Sequence, residues 1–406
     1  MSKTAVEKLK TACDYLFLTH RVYHEGKPKA GGIDRTREYF LKQGSGVALM
    51  ENPLTTYGTE CSGDYISRLS ISKGGEAHEL GNFSVWPKRN PWRWFIEPFQ
   101  SVVLIRRCLA PGYVCYAGDP LSGWMALRLK RMRLARLVIM HCTDLAPERF
   151  QRKWLTGAYT FLYKRVVQES DIVLAVSRSM IEEFRKWNDT REYIWFPNSP
   201  MCDQIPLCPQ GERNRKHLVL LGPSVGDIDN GMVVKLVQRL HATDSAWKLL
   251  VVGGGGGEKH ILEEAAKLGI QSAVTAVGPR PWKEALHLVA QSGFGVVFYR
   301  GENMFNQCRD SIKIREYAAC GLPIICDAST ETAREGRDAG ACILMNDEND
   351  LAEVVATLQN RTVYEEMSQN ALKWAKANDK RKYLEELHEE INSRLTVGRN
   401  VIRSLP

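Results

Sequence analysis

The sequence contains no run of about 18 uncharged apolar residues, the length that a membrane-spanning helix needs. Its first residues, Met-Ser-Lys-Thr-Ala-Val-Glu-Lys, also lack the apolar core of a secretory signal peptide. We therefore expect a protein without a membrane-spanning segment or a cleaved leader.

The chain has 11 cysteines, but it lacks the closely spaced cysteine motifs of metal and redox sites. None stands in a Cys-x-x-Cys pair, and none has a companion histidine at the spacing of a zinc site. Many lie in apolar runs, where a free thiol behaves as a small hydrophobic side chain. This usage favours a reducing compartment and argues against a structural metal.

Two further motifs are incomplete. The run Gly253–Gly257 follows an apolar strand, but a dinucleotide fingerprint in that register needs glycine where Glu258 stands. This break argues against an NAD-dependent oxidoreductase and favours a close-packed turn. Asp227 and Asp229 have the Asp-x-Asp spacing, yet they follow a loop rather than ending a strand, so we expect no metal there.

The charge is unevenly distributed along the chain. The net charge of +8 comes from the first 199 residues, which hold 30 basic and 20 acidic residues, against 25 and 27 in the remainder. Residues 80–165 alone hold 15 basic and 4 acidic residues. An acidic surface is the expected partner of that region.

Apolar strands alternate with amphipathic helices through most of the 406 residues, which is long enough for two domains. The segment 196–211 carries four prolines and predicts a linker. The pattern therefore predicts an α/β protein with two doubly wound domains, whose strand ends face a central cleft. We place the first domain at residues 1–200, the second at 201–362, and C-terminal helices that pack back on the first domain at 363–406.

The segment Asp310–Cys326 is the most informative part of the sequence. Asp310 and Ser311 stand where a helix should begin, so free N–H groups and the positive helix end can face a phosphate. Lys313 adds a cation, and Glu316 lies about one turn further on, where a carboxylate can accept hydrogen bonds from a ribose. An ordinary capped helix before a buried strand would show the same pattern.

Candidate catalytic residues follow other strands. His141 and Asp144 come after a strand of the first domain, and Arg300 ends a strand of the second. A carboxylate at such a position can act as a general base, and an arginine can neutralise a diphosphate. Asp144 can equally cap the next helix, and Arg300 can pair with a neighbouring carboxylate.

An aromatic and basic stretch at residues 86–99 includes Trp92, Arg93, Trp94 and Phe95. Rings of this kind suit a membrane interface, and the cations suit anionic headgroups. A packed loop or a nucleic-acid surface would fit the same residues. We favour the membrane because no nucleic-acid-binding module accompanies the stretch.

With these motifs in place, the chain resembles GT-B glycosyltransferases, the sugar-nucleotide-dependent enzymes that build bacterial surface polysaccharides. The resemblance is clearest in residues 217–345, above all in Lys313-Ile-x-Glu316-Tyr-x-Ala-x-Gly321-x-Pro323. Retaining members of the wider Glu-x7-Glu group have a second glutamate where this chain has Cys308. They also have an arginine and a lysine in the loop where this chain has Ser224-Val-Gly-Asp-Ile-Asp.

The combination of Lys313 with Asp144 is similar to the membrane-associated, inverting glucuronosyltransferase of xanthan assembly. That resemblance implies that Asp144 is the catalytic base and that Lys313 contacts the nucleotide diphosphate. It implies a glycosyltransferase with a UDP- or GDP-sugar as donor substrate, no further cofactor, and a lipid-linked or lipopolysaccharide/exopolysaccharide acceptor. We expect a cytoplasmic enzyme at the inner face of the cell membrane.

The expected site residues form three groups besides Asp144 and His141. The donor-binding residues are Gly222, Ser224, Gly278, Tyr299, Arg300, Asp310, Ser311, Lys313, Glu316 and Tyr317. The acceptor-binding residues are His20, Gly31, Gly32 and Asp119, and the membrane-binding residues are Trp92, Arg93, Trp94 and Phe95. Two alternatives stay open, a retaining enzyme of the same fold and an inactive nucleotide-binding scaffold.

Overall fold

The structure is a computed structural model, and the description covers most of the chain. The described residues are 10–21, 23–24, 27–28, 32–53, 66–84, 93–147, 152–254, 256–301 and 303–403. The contacts divide the chain into two compact units. The first comprises residues 1–176, 181–196 and 386–406, and the second comprises 177–180 and 197–385. The sequence-based domain boundaries remain a prediction.

The first unit contains an eight-stranded sheet with the order β10-β9-β8-β7-β1-β4-β5-β6. All neighbours are parallel except β4–β5 and β5–β6, which are antiparallel. The strands are β1 Tyr15–Arg21, β4 Val47–Pro53, β5 Ile66–Lys73, β6 Glu76–Ser84, β7 Tyr113–Ala117, β8 Ala135–Cys142, β9 Ile172–Ala175 and β10 Ile194–Trp195. A short separate pair consists of β2 Tyr23–His24 and β3 Lys27–Pro28.

Helices cover the parallel part of this sheet. They are α1 Gly32–Lys42, α2 Arg93–Cys108, α3 Pro120–Arg131, α4 Lys153–Glu169 and α5 Arg178–Arg185. Helix α3 packs against both α2 and α4. Its contact with α4 is close at Gly123, where a Cβ atom would lie 2.2 Å from Val166 Cγ1. Every residue of β7 is buried, as expected for a parallel strand that is covered on both faces.

The second unit contains six parallel strands in the order β13-β12-β11-β14-β15-β16. They are β11 Asn214–Leu221, β12 Lys248–Val252, β13 Val274–Ala276, β14 Ser292–Val297, β15 Ile324–Cys326 and β16 Cys342–Leu344. Counted along the chain this order is 3-2-1-4-5-6, the doubly wound order of nucleotide-binding domains. The order reverses between β11 and β14, and ligands of such sheets bind beyond the strand ends at that point.

Nine helices complete the described parts of the chain. They are α6 Asn230–Thr243, α7 Gly257–Lys267, α8 Trp282–Ala290, α9 Met304–Gln307, α10 Ile312–Ala319, α11 Glu331–Asp338, α12 Leu351–Gln359, α13 Arg361–Ala377 and α14 Lys380–Arg403. One large core of buried residues runs through the second unit, from Ile205 to Ala375. Helix α10, which follows the motif singled out in the sequence, packs against α13, β14 and β15.

The alternation of strands and helices predicted from the sequence is confirmed, with ends that differ by a few residues. Several described elements were not predicted, among them the antiparallel pair β5–β6 and the helices α2 and α11. Strand β6 has no buried residue, so it has no apolar alternation to detect. Helix α2 carries Pro98 inside it, a residue that usually marks the end of a helix.

Candidate functional site

The loops that follow β11 and β12 pack against each other at the reversal point of the second sheet. Gly222 has a φ of +51°, and a Cβ atom on Gly253 would lie 3.0 Å from the nitrogen of Gly222. A Cβ atom on Gly257 would lie 2.6 Å from the carbonyl oxygen of Pro223. Gly253 and Gly257 are therefore closely packed, as the broken fingerprint indicates.

Lys313 reaches into this region from the first turn of α10. A Cβ atom on Gly222 would lie 3.6 Å from Lys313 Cε and 3.9 Å from Nζ, so the lysine runs along the backbone at Gly222. Burial lowers the pKa of Lys313, and the nearby cation of Arg309 lowers it further. Within the described residues, the Lys313 ammonium makes no hydrogen bond or ion pair. It is therefore a cation with capacity for an anion.

Arg309 is a second cation in this region that the sequence reasoning missed. Its guanidinium donates to Asp227 Oδ1 at 2.6 Å and to Oδ2 at 3.1 Å. It also lies over the rings of Tyr299 and Phe305, with its Cζ at 4.4 Å and 4.3 Å from the centroids. The sequence offered one signal for this cation. Asp227 is an acidic residue in the loop where retaining members of the Glu-x7-Glu group have an arginine and a lysine, so a basic partner from elsewhere in the chain could have been expected.

The side chain of Ser311 caps helix α10, as predicted. It accepts a hydrogen bond from the nitrogen of Ile314 at 3.4 Å, and its Oγ shares a 2.6 Å hydrogen bond with the hydroxyl of Tyr299. The first N–H groups of a helix have no acceptor within the helix, and they carry partial positive charge. The start of α10 therefore adds favourable potential for an anion beside Lys313.

Glu316 lies one turn along α10 and is almost fully buried. Its Oε1 accepts a hydrogen bond of 2.7 Å from Nε1 of Trp282, the first residue of α8. The indole thus fixes the orientation of the carboxylate. Trp282 is a second residue that the sequence reasoning missed, because it was recognised only as a helix start.

Asp310 is occupied by contacts within the protein. Its Oδ1 accepts from Arg315 Nε at 2.7 Å and from Thr332 Oγ1 at 2.7 Å, and its Oδ2 accepts from the backbone nitrogen of Asn198. Arg315 also donates to Glu335 at 3.0 Å. These contacts give Asp310 a structural role at the start of α10, and its predicted contact with the donor stays a prediction.

Tyr317 is part of the core. A Cβ atom on Gly295 would lie 2.3 Å from the Tyr317 ring, so the glycine in β14 makes room for it. The hydroxyl accepts from Leu221 N at 2.8 Å and donates to Val296 O at 3.3 Å. Tyr317 therefore fastens α10 to the two strands that flank the reversal point.

Three more of the predicted donor residues lie in loops beyond the strand ends. Gly278 accepts a hydrogen bond from the nitrogen of Gly253 at 3.0 Å, and Ser224 donates to Asp227 at 3.4 Å. Arg300 is exposed, and its backbone nitrogen donates to the carbonyl of Asp227. Their roles in donor binding remain predictions.

The first sheet has its own reversal point, between β1 and β7, where His20 contacts Asp119. Nδ1 of His20 lies 3.0 Å from Asp119 Oδ2, and Nε2 lies 3.2 Å from Glu97 Oε1. Burial alone would lower the pKa of His20, but the two carboxylates outweigh it and raise the pKa to about 10. His20 is therefore a fixed cation rather than a free base. Gly32 begins α1, and Gly31 lies outside the described residues.

His141 is fully buried in β8, where its Nδ1 lies 2.8 Å from the Tyr116 hydroxyl and its ring packs edge-on against Phe196. Asp144 lies two residues beyond the end of β8 and is partly exposed. Its backbone carbonyl accepts a hydrogen bond from Tyr163 at 2.8 Å, which anchors this loop on α4. The catalytic roles of both residues remain predictions.

The predicted membrane-binding residues fall at the start of α2. Trp94 and Phe95 are 39% and 69% exposed. Trp92 and the side chain of Arg93 lie outside the described residues. Of the helices described, none is both long and apolar enough to span a bilayer. The described residues also include no cluster of three side chains suited to hold a metal ion.

The second unit thus combines a doubly wound sheet with close-packed glycine turns, a helix start and the positive charge of Lys313 at its reversal point, features of a nucleotide-binding domain. Residues 225–361 match the family model described as Glycosyl transferases group 1. The chain thus contains a glycosyltransferase group 1 domain, and the prediction of a glycosyltransferase is confirmed at this level. No curated protein matches the sequence.

Solved glycosyltransferases share the GT-B fold with this chain. Sucrose-phosphate synthase from Thermosynechococcus elongatus is 16% identical, with a TM-score of 0.65 over 95% of this chain and 100% of that one. WaaG, a glycosyltransferase involved in lipopolysaccharide biosynthesis, is 14% identical, with a TM-score of 0.64 over 92% of this chain and 98% of that one. The predicted GT-B fold is confirmed.

TarM of S. aureus, in a mutant form bound to UDP, Fondaparinux and a GlcNAc-glycerol, is 12% identical. Its TM-score is 0.59, and the match covers 81% of this chain and 64% of TarM. The protein thus spans about two thirds of TarM, and the likeness concerns the fold.

Proposed function

We propose that the protein transfers a sugar from a nucleotide-sugar donor to a lipid-linked, lipopolysaccharide or exopolysaccharide acceptor. The observation that carries the proposal is Lys313. Its ammonium lies over Gly222, at the reversal point of the second sheet and beside a helix start. Residues 225–361 of the same unit match the glycosyltransferase group 1 family model. A diphosphate is the anion that such a combination suits best.

The donor is held by groups of different chemistry. Lys313 and the N–H groups of α10 neutralise the diphosphate, and Arg309 adds a planar cation. Glu316, which Trp282 fixes in place, accepts hydrogen bonds from the ribose hydroxyls. UDP is the nucleotide bound in the TarM structure, and UDP- or GDP-sugars are therefore the first donors to test.

The reaction in this proposal is a single displacement with inversion, as in the xanthan glucuronosyltransferase that the motifs resemble. The acceptor oxygen attacks the anomeric carbon, and the bond from that carbon to the diphosphate breaks. The carboxylate of Asp144 takes the hydroxyl proton, and the cations around Lys313 stabilise the departing nucleoside diphosphate. A retaining reaction is the alternative within the same fold. The stereochemistry of the product distinguishes the two.

Membrane attachment is the second part of the proposal. Phe95 and Phe99 on α2 are 69% and 66% exposed, and Arg106 and Arg107 lie on the exposed side of the same helix. Aromatic rings with flanking cations favour an anionic lipid surface. This would bring the enzyme to a lipid-linked acceptor at the inner face of the cell membrane.

A thermal-shift screen with nucleotides and nucleotide-sugars tests the donor part, because a ligand that binds the folded state raises its melting temperature. We expect one base to give a clear shift as the diphosphate and as the nucleotide-sugar, and transfer assays with that donor to yield product. Absence of a shift with every nucleotide would overturn the proposal. A shift without turnover on any acceptor extract would favour an inactive nucleotide-binding scaffold.

A further inference from the structure

Helix α4 of the first unit carries an exposed aromatic stripe that the proposed function leaves unused. Trp154 and Phe161 are 61% and 68% exposed. Ala158 and Arg165 are exposed as well. Positions i, i+4, i+7 and i+11 of the helix are thus occupied by Trp154, Ala158, Phe161 and Arg165. This spacing places the four residues on one side of the helix.

The stripe lies opposite the side of α4 that the fold uses. Tyr163, Val166 and Val167 are buried, and they face the packed side of the helix. Val166 lies against Gly123 of α3, as described above. Two large rings on the far side are therefore not required for packing within the unit. Exposed aromatic residues grouped in this way mark an interaction surface.

The charge around the stripe has one sign. Residues 152–165 contain Arg152, Lys153, Lys164 and Arg165 and no acidic residue. All four basic residues are exposed, and Arg165 shares Glu169 with Arg131 of α3. The surface is thus apolar in the middle and cationic at its two ends. This is the pattern of a helix that lies in the interface of an anionic bilayer.

Helix α2 shows the same arrangement. Its exposed side presents Phe95, Phe99, Val103 and Arg106 at i, i+4, i+8 and i+11. Its buried side includes Glu97, whose carboxylate contacts His20 of the first sheet. Helix α3 packs against both α2 and α4, its exposed residues include Arg128 and Arg131, and the exposed Met132 follows its end. The two helices that carry the stripes thus both pack on α3.

We propose that the exposed face of α4, centred on Trp154 and Phe161, is a second membrane-contacting surface that binds anionic lipid together with α2. This inference rests on the membrane attachment in the proposed function and extends it. Contact through two helices would fix the orientation of the first unit on the bilayer more closely than contact through α2 alone. The basic residues of α4 favour an anionic lipid surface as the binding partner, because their charges complement those of the headgroups.

The test is co-sedimentation of the full chain with vesicles of phosphatidylcholine alone or mixed with phosphatidylglycerol. The double variant Trp154→Ser/Phe161→Ser removes exposed rings only, so we expect it to fold. It should bind mixed vesicles at least about tenfold more weakly than wild type, since each ring loses apolar area buried in the bilayer. The control Leu262→Ser, at a 40% exposed position on α7, should bind as wild type does.

The α2 variant Phe95→Ser/Phe99→Ser separates the possible outcomes. If it weakens binding while the α4 variant binds like wild type, the inference about α4 is overturned and membrane attachment stands. If wild type binds neither kind of vesicle, membrane attachment itself fails. If wild type is a dimer in sedimentation velocity and the α4 variant is a monomer, the stripe is a protein interface and the inference is overturned.

Insertion of the helix can also be observed directly. Brominated phosphatidylcholine quenches tryptophans that enter the bilayer. We expect wild type to lose more fluorescence on binding to mixed vesicles containing it than Trp154→Phe does. Equal quenching of the two proteins, at equal bound fractions, would contradict insertion of α4.

Discussion

Arg309 and Asp227 form a two-point ion pair, with the guanidinium donating to one carboxylate oxygen at 2.6 Å and to the other at 3.1 Å. The rings of Tyr299 and Phe305 hold the same guanidinium through cation–π contacts. A cation is thereby fixed near Lys313 although the β11–α6 loop itself carries no basic residue. The positive charge of this site comes from the start of α10 instead.

Replacement of Arg309 should therefore weaken binding of a nucleoside diphosphate. We expect Arg309→Met to lose about tenfold or more in affinity, the range of one charge-assisted contact, while affinity for the parent nucleoside stays the same. Arg309→Lys keeps the charge but not the fork, so it should be intermediate. Isothermal titration with UDP and uridine, or with the base that the screen selects, measures both. Unchanged diphosphate affinity in Arg309→Met would show that this cation serves the fold alone.

The general base has a different signature. Asp144→Asn should lose about 10²-fold or more in turnover, because the acceptor proton has no carboxylate to receive it. Donor affinity should remain close to that of wild type. The assay is product formation at saturating donor, with Asp189→Asn as a matched change at an exposed position of the first unit. Normal turnover by Asp144→Asn would remove Asp144 from the mechanism.

Asp310 should act on stability. Asp310→Ala leaves the buried Arg315 without its closest carboxylate, and loss of one partner from a buried pair costs about 3–5 kcal/mol in the free energy of unfolding. The control Asp338→Ala removes an exposed partner of Arg337 and should change little. Urea unfolding followed by fluorescence compares the two variants. Equal stabilities would contradict the structural role of Asp310.

The His20 cluster predicts a dependence of stability on pH. The pKa of His20 is raised from 6.5 to about 10 in the folded state. The stabilisation of the folded state by protonated His20 is therefore fully present below pH 6.5. It is lost as the pH rises to about 10, with a slope of up to about 1.4 kcal/mol per pH unit in the free energy of unfolding. The variant His20→Gln lacks this titration. We expect its stability to fall less steeply than that of wild type over this range, and parallel curves would show that the pair with Asp119 and Glu97 is weak.

Much of the architecture could be predicted from the sequence, because parallel strands buried on both faces are nearly continuous apolar runs. Strand β7 and its neighbours illustrate this. Strand β6 has polar residues on both faces, and only its pairing with β5 makes it a strand. Helix α2 begins among tryptophans and contains Pro98, so its local pattern did not predict a helix. A strand that depends on tertiary pairing and a helix with an internal proline were therefore among the elements missed.

The candidate site shows the same division. Ser311 could be predicted as a cap because capping depends on a local residue type next to an apolar helix. Arg309 and Trp282 could not, since their partners Asp227 and Glu316 lie 82 and 34 residues away in the sequence. Asp310 appeared as a second capping residue, and only the folded chain reveals that its carboxylate is paired with Arg315.

Titration of the Lys313→Ala variant with a nucleoside diphosphate is the most direct test of the donor site. Lys283→Ala, an exposed lysine on α8, is the matched control. The account predicts that Lys313→Ala loses at least about tenfold in affinity for UDP, or for the diphosphate that the screen selects, and keeps its affinity for the nucleoside. Diphosphate affinity equal to that of wild type and of Lys283→Ala would contradict the central claim.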